Sequence, residues 1–265
     1  MLNIGGEGTY PRSVPNPVGS FALDPLETLH RMYHRVLLKL SGEALGNPET
    51  GHGMDPTQIQ AYARQIARVV GLGVEVGIVC GGGNILRGAE FSQLGGHRAT
   101  ADYMGMLGTV INALALSDAV EQQGVDTRVM TALEIKQVAE PFVWRRADAH
   151  LSRGRVVILA AGTGNPFFTT DTAAALRANE LRCDVLLKAT KVDGVYDRDP
   201  KKHPDAKRFE KLTFREVLEK NLRVMDITAI TLCMENNLPI TVFDLFREGN
   251  FERVVRGEPI GTTIQ

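Results

Sequence analysis

The sequence predicts an α/β fold built on a mainly parallel sheet with helices on both faces. Three observations predict it. Apolar runs of strand length alternate with stretches of helical period from residue 35 onward. Helix starts and stops are punctuated by Asp, Pro and Gly at the expected places. The chain of 265 residues is 43% hydrophobic, enough for one sizeable core.

The elements follow in order. Residues 1–34 carry Pro11, Pro15, Pro17 and Pro25 with Gly5, Gly6, Gly8 and Gly19, and show no period, so they read as a disordered tail. Met32 stands just before the first strand, and the expectation is that the biological start lies there or that the tail is a dispensable arm. Residues 35–265 read as a single catalytic domain. RVLLKL (35–40) is the first strand. Asp55-Pro56 opens a helix in which Ile59, Tyr62, Ala63, Ile66, Val69 and Val70 repeat at helical spacing, and Gly71 ends it. Residues 74–80 form the second strand, 100–123 a long helix closed by Gly124, 127–131 a short strand and 155–161 a buried one. A helix over 172–182 is capped by Asp171, and a strand covers 185–189. Helices over 213–221 and 226–237, a strand over 240–243 and a short helix capped by Asn250 complete the chain.

Composition excludes several classes. Lys plus Arg is 30 and Asp plus Glu is 31, so bulk charge draws the protein to neither nucleic acid nor an anionic membrane. The longest unbroken apolar run, 156–161, is far short of the roughly 20 residues of a membrane span. No basic segment followed by an apolar one opens the chain, so no secretory signal is expected. Cys80, Cys183 and Cys233 are an odd, scattered set, which excludes a disulfide framework and a CxxC metal site and fits a reducing cytoplasm. The six histidines are scattered too, so no metal site is expected from them.

The chemistry lies in loops at the carboxyl ends of strands, where such sheets bind ligands. After the first strand comes Lys39-Leu40-Ser41-Gly42-Glu43. After the second come Gly81, Gly82, Gly83 and Asn84, with Arg87 beyond. Consecutive glycines let backbone N–H groups reach an anion, and a following helix adds its positive end. Lys39 and Arg87 supply charge for transferring oxygens. The plain alternative for the glycines is a tight turn with close packing. In the loop 162–171, Thr169, Thr170 and Asp171 suit a helix start and a second phosphate, and Asn165 suits a base edge. Phe167 and Phe168 are either walls for a base or core residues under the loop. Asp102 is either a ribose acceptor or a plain acid near a helix start. Residues 196–211 read as an exposed flap near the nucleotide. Trp144, beside Arg145 and Arg146, reads as a surface-helix residue packed inward. There is no GxxxxGK[ST], no HRD or DFG signature, and Gly71-Leu72-Gly73 ends a helix rather than following a strand.

Five stretches together resemble the bacterial UMP kinases of the amino-acid-kinase superfamily: KLSGEAL (39–45), GGGNILRG (81–88), DYMGMLGTVINALAL (102–116), AGTGNPFFTTD (161–171) and LLKATKVDGVYDRDP (186–200). The resemblance runs from about residue 32 to 265. It implies a three-layer αβα sandwich and transfer of the γ-phosphoryl of ATP to UMP, with magnesium carried through the phosphates. It implies that Lys39, Leu40, Ser41, Gly42, Gly83 and Arg87 contact ATP phosphates, and that Thr190, Tyr196 and Asp199 hold the ATP nucleoside. Gly82, Asp102, Thr163, Gly164, Asn165, Pro166, Phe167, Phe168, Thr169 and Thr170 are implied to hold UMP. Lys39, Arg87 and Asp171 are the implied catalytic set, Asp171 orienting Lys39. A homohexamer, activation by GTP and inhibition by UTP are further implications. Arg128, Trp144 and Arg155 match effector positions, whereas Ser117 and Glu121 replace the basic residues of GTP-responsive members. Two other readings compete: a kinase of the same superfamily acting on an acyl group, and a non-catalytic nucleotide or oxyanion store on the same fold.

Overall fold

The computed structural model describes residues 33–86 and 95–265. The tail before Tyr33, Met32 and Arg87 lie outside the described residues. The remainder belongs to one unit that runs from Arg31 to Gln265.

All six strands read from the sequence form, with ends moved by at most one residue. They are β1 (Arg35–Leu40), β2 (Glu75–Cys80), β3 (Thr127–Thr131), β5 (Val156–Ala160), β6 (Val185–Thr190) and β10 (Ile240–Asp244). Short strands β4 (Glu140–Pro141), β9 (Lys211–Leu212) and β11 (Thr262–Ile264) extend the sheet to the order β4-β3-β5-β2-β1-β6-β10-β11-β9. Every pairing in it is parallel except β10 with β11. A separate antiparallel pair joins β7 (Val195–Tyr196) to β8 (Arg208–Phe209) within the predicted flap. Strands of two or three residues carry no readable period, which is why the sequence did not announce them.

The described helices are α1 (Gly42–Leu45), α2 (Pro56–Gly71), α3 (Arg98–Glu121), α4 (Trp144–Leu151), α5 (Thr170–Glu180), α6 (Phe214–Glu219), α7 (Ile227–Glu235) and α8 (Asn250–Val255). Asp55 caps α2 as expected, accepting from the N–H groups of Thr57 and Gln58. Two expected caps move. Thr169 rather than Asp171 caps α5, accepting from Asp171 N and Thr172 N, which releases the Asp171 carboxylate. Gly249, at φ 84°, precedes α8, and Asn250 is its first residue.

The predicted three layers are present. Val36, Leu38 and Leu40 of β1 pack with α2, α3 and α8 on one face. Leu37 packs with α4, α5, α6 and α7 on the other. Alternation along the strand therefore turns Lys39 toward the α5 side. By length and composition α3 is apolar enough to cross a membrane, with mean hydropathy 1.3 over its best window. Half of that window is buried within the fold, where α3 packs on α2, β3 and β5.

Candidate active site

Lys39 of β1 and Lys188 of β6 are register partners on adjacent parallel strands. Both side chains emerge on the α5 side of the sheet, where Asp171 waits in the first turn of α5. Lys39 Nζ lies 2.9 Å from Asp171 Oδ1, and Lys188 Nζ lies 2.9 Å from Oδ2. Lys188 also donates to Val224 O. All three side chains are largely buried. Burial opposes ionisation of Asp171, yet the neighbouring lysine charges outweigh it and hold the carboxyl below its ordinary value. Burial, aided by the charge of Lys39, pushes the Lys188 ammonium below the ordinary lysine value despite Asp171. The positive end of α5 points into the same space. The expected pairing of Lys39 with Asp171 is present. Lys188 joins this pair without having been a candidate from the motifs; its sequence signal is a lysine set in the otherwise apolar strand VLLKA.

Asp226, also missed, caps α7 by accepting from Ala229 N at 2.9 Å. It also accepts from the hydroxyls of Thr169 and Thr172, so it fastens the start of α5 to the start of α7. Nothing in its sequence neighbourhood marks that second duty.

The glycines divide between two uses. A Cβ on Gly42 would lie 2.6 Å from Gly83 N, and one on Gly81 would lie 2.8 Å from Gly42 N. A Cβ on Gly82 would lie 2.5 Å from Gly105 O of α3. These three are glycine because backbone packs on backbone there, so close packing accounts for them. Of the four glycines in these two loops, Gly83 alone faces open space, which leaves its backbone accessible to a ligand. Arg87 and the chain to residue 94 lie outside the described residues.

Two cavities bear on this region: Lys188 lines one, and Thr169 and Thr170, which precede Asp171 in the chain, line the other. One, of about 440 Å³, is lined by Glu43, Gly82, Gly83, Arg98, Asp102, Thr163, Phe168, Thr169 and Thr170 among others. The loop that supplies the last four is held in unusual backbone: Ala161 has φ 62°, Gly162 57°, Gly164 79° and Phe167 72°. Phe167 is 66% exposed and Phe168 52%, so neither is a core residue. Phe168 lines the cavity, and Phe167 stacks under Arg98 at 5.7 Å. Asn165 donates from its amide to Thr163 O at 3.3 Å within its own turn. Asp102 sits one turn inside α3, accepting two bonds from Arg98 Nε and one from Phe167 N at 2.8 Å. It therefore ties the loop to the helix.

The second cavity, of about 600 Å³, is lined by Lys188, Thr190, Gly194, Tyr196, Asp199, Lys220 and Arg223 among others. The three residues expected to hold a nucleoside, Thr190, Tyr196 and Asp199, all line it. Tyr196 OH donates to Asp193 at 2.6 Å, and that bond raises its pKa. Among the described residues, no group of three or more His, Cys, Asp or Glu could hold a metal ion.

The expected effector residues lie elsewhere. Arg128 on β3 reaches Glu140 at 3.8 Å, Glu140 reaches His150 at 3.3 Å, and His150 reaches Arg155 at 3.1 Å. Trp144 is not packed inward: it is partly exposed, with Arg145 and Arg182 over its ring at 4.7 and 5.9 Å. Ser117 and Glu121 both bond Thr127.

Comparison with known proteins agrees with this geometry. Residues 34–244 match the amino acid kinase family. A UMP kinase from Bacillus anthracis is 42% identical, with 89% of this chain and 97% of that one covered at a TM-score of 0.86. A UMP kinase from Ureaplasma parvum is 37% identical over 88% of this chain and 98% of that one, at 0.82. A uridylate kinase from Archaeoglobus fulgidus is 28% identical over 87% and 99%, at 0.66. With the fold, the lysine pair and these likenesses in agreement, the chain belongs to the amino acid kinase family, and within it to the UMP kinases.

Proposed function

We propose that residues 35–265 transfer the γ-phosphoryl of ATP to UMP, giving ADP and UDP, with the tail as an appendage to that domain. The carrying observation is the Lys39–Asp171–Lys188 bridge, with Lys188 lining one cavity and Thr169 and Thr170, the residues before Asp171, lining the other. Mg-ATP is the substrate form, its cation arriving on the phosphates. The nucleoside of ATP lies in the cavity of Thr190, Tyr196 and Asp199, and its phosphates extend toward Gly83, Lys39 and Lys188. UMP lies in the cavity of Asp102, Thr163 and Phe168, and its phosphate points at the start of α5.

The acceptor is already an anionic phosphate oxygen, so the chemistry needs alignment and charge neutralisation more than a general base. Two ammonium groups with one carboxylate leave a net positive charge where negative charge builds up on the oxygens in transfer. Asp171 keeps the lysines apart from solvent anions and fixed in direction. A kinase acting on an acyl group would not need the aromatic loop that walls this cavity. A mere store would not need two desolvated lysines at the meeting point.

The setting is the reducing cytoplasm, and pyrimidine nucleotide synthesis is the use of the product. Burial pushes the three free thiols up to about 12, which makes them inert there. The homohexamer starts from α3, whose Tyr103, Leu107, Ile111 and Leu114 form an exposed apolar stripe at helical spacing suited to a second copy. UTP inhibits through the acceptor cavity. GTP acts through Arg128, Trp144 and Arg155 only by displacing Glu140 from Arg128.

The test is ADP release with Mg-ATP and a panel of UMP, CMP, AMP, GMP and N-acetylglutamate. Turnover with UMP alone is expected. Turnover with N-acetylglutamate, or nucleotide binding without any turnover, overturns the assignment.

A further inference from the structure

The buried side of α3 is apolar except at two places. Thr109 is 5% exposed and Asn112 is fully buried, among Met106, Val110, Ala113 and Leu116. Buried polar groups persist only when their hydrogen bonds are made, and both sets of partners lie in the site loops. Asn112 Nδ2 donates to Gly81 O and to Asn84 Oδ1, each at 2.7 Å. Its Oδ1 accepts from Asn84 Nδ2 at 3.0 Å. The two amides thus clasp each other, and Asn84 continues to Gly53 O. One turn earlier, Thr109 Oγ1 accepts from Ala161 N at 2.7 Å while donating to Met106 O. Ala161 is the left-handed residue, φ 62°, that opens the aromatic loop.

We infer that Thr109 and Asn112 are positioning residues that set the acceptor loop and the glycine loop at a fixed distance from one another. Each grips its loop where the backbone has least freedom to find another partner: Ala161 at a strained corner, and Gly81 where its Cα stands against Gly42. Because both sit on one rigid helix, a single turn of α3 defines the gap across which phosphoryl transfer takes place. Packing alone does not explain the pair, since Val and Leu have nearly the same shapes and carry no desolvation cost.

The inference rests on the assignment of UMP to the loop after Ala161, so the experiment separates the two. In the full-length enzyme, Thr109→Val, Thr109→Ser and Asn112→Leu are compared with the unaltered chain for kcat, both KM values and melting temperature. Calorimetric binding of UMP and of a non-hydrolysable ATP analogue is measured alongside. Thr109→Val is expected to weaken UMP about tenfold, the worth of one buried hydrogen bond, with ATP binding changed less than about twofold. Thr109→Ser, which keeps the hydroxyl, restores UMP binding. Asn112→Leu is expected to weaken the ATP analogue, and to lower kcat more than it raises either KM, because the glycine loop faces the ATP phosphates at the point of transfer.

Equal loss of both ligands, or a lower kcat at unchanged KM in Thr109→Val, means a structural role only and overturns the inference. So does failure of Thr109→Ser to differ from Thr109→Val. Should Thr109→Val not fold, Thr109→Ala is measured in its place against the same expectation. Absence of turnover and of UMP binding in the unaltered chain overturns the UMP assignment instead; the Asn112→Leu comparison with the ATP analogue then reads the glycine loop by itself, and unchanged affinity there overturns the inference.

Discussion

Lys39 and Lys188 stand opposite one another on neighbouring parallel strands, and a single carboxylate, Asp171, bridges their ammonium groups at 2.9 Å on each side. Two like charges in register repel, and burial sharpens the repulsion. The carboxylate offsets it while leaving a net positive charge beside the cavity that Lys188 lines. Removing any one of the three has a different consequence.

Lys39→Met keeps the length and apolar stem of the side chain and loses its charge. Turnover is expected to fall by about 10²–10³, the usual worth of one preorganised charge-stabilising group. Melting temperature should change little, because Lys188 still pairs with Asp171. Steady-state rates beside a thermal melt check this; turnover equal to that of the unaltered chain excludes Lys39 as the neutralising cation.

Asp171→Asn leaves two buried lysines facing each other. Breaking a buried pair in this way costs on the order of 3 kcal/mol at neutral pH. The folded-state pKa of Asp171 lies below its unfolded value, so its contribution is present above the ordinary carboxylate range. That contribution is lost as pH falls through the depressed value. Denaturant melts of both proteins from neutral to acid pH should therefore converge at the acid end. A constant gap across that range contradicts the ionised pair.

The Lys188 ammonium is held below the ordinary lysine value, so it loses its proton earlier than a free lysine as pH rises. Turnover should decline on the alkaline side, beginning below the ordinary lysine range. Lys188→Arg, whose guanidinium stays charged, should shift the decline upward even if its different shape lowers the plateau. Superimposable pH profiles count against the assignment.

Gly82 and Gly83 are neighbours with opposite expectations. Gly82→Ala places a methyl 2.5 Å from Gly105 O and 2.9 Å from Thr109 N, both backbone, so α3 or the loop must move. A loss of roughly 1–3 kcal/mol is expected, typical of overpacking. Gly83→Ala meets nothing and should melt like the unaltered chain while binding ATP more weakly. Equal stability of the two variants in denaturant contradicts the packing described for Gly82.

An acidic residue in the α3 stripe tests the assembly. Leu107→Glu should reduce the oligomer measured by light scattering without a loss of helical circular dichroism, since Leu107 is 48% exposed in the single chain. An unchanged mass places the contact between copies on another face.

Much of this molecule was legible before its structure. The six longer strands and the helices between them follow from interactions within a few residues: alternation along a strand, the helical repeat, and caps such as Asp55 before Pro56. The candidate loops were legible too, because glycine, threonine and lysine gather at the carboxyl ends of the strands, where such sheets bind ligands. What local pattern cannot carry is a distance between residues far apart in the chain. Lys188 and Asp226 became site residues only when strand order set β6 beside β1 and α7 beside α5. The same holds where competing uses of one residue were open. Asp171 went to two lysines once Thr169 took the cap, Trp144 turned outward to two arginines, and Gly81 and Gly82 proved to be glycine where backbone packs on backbone. The sequence by itself determined which segments are strand or helix and which residue types line the cleft, since those depend on neighbours along the chain. Only the tertiary structure decided which charges meet, which glycines are crowded and which helix face holds the loops, because those depend on neighbours across space.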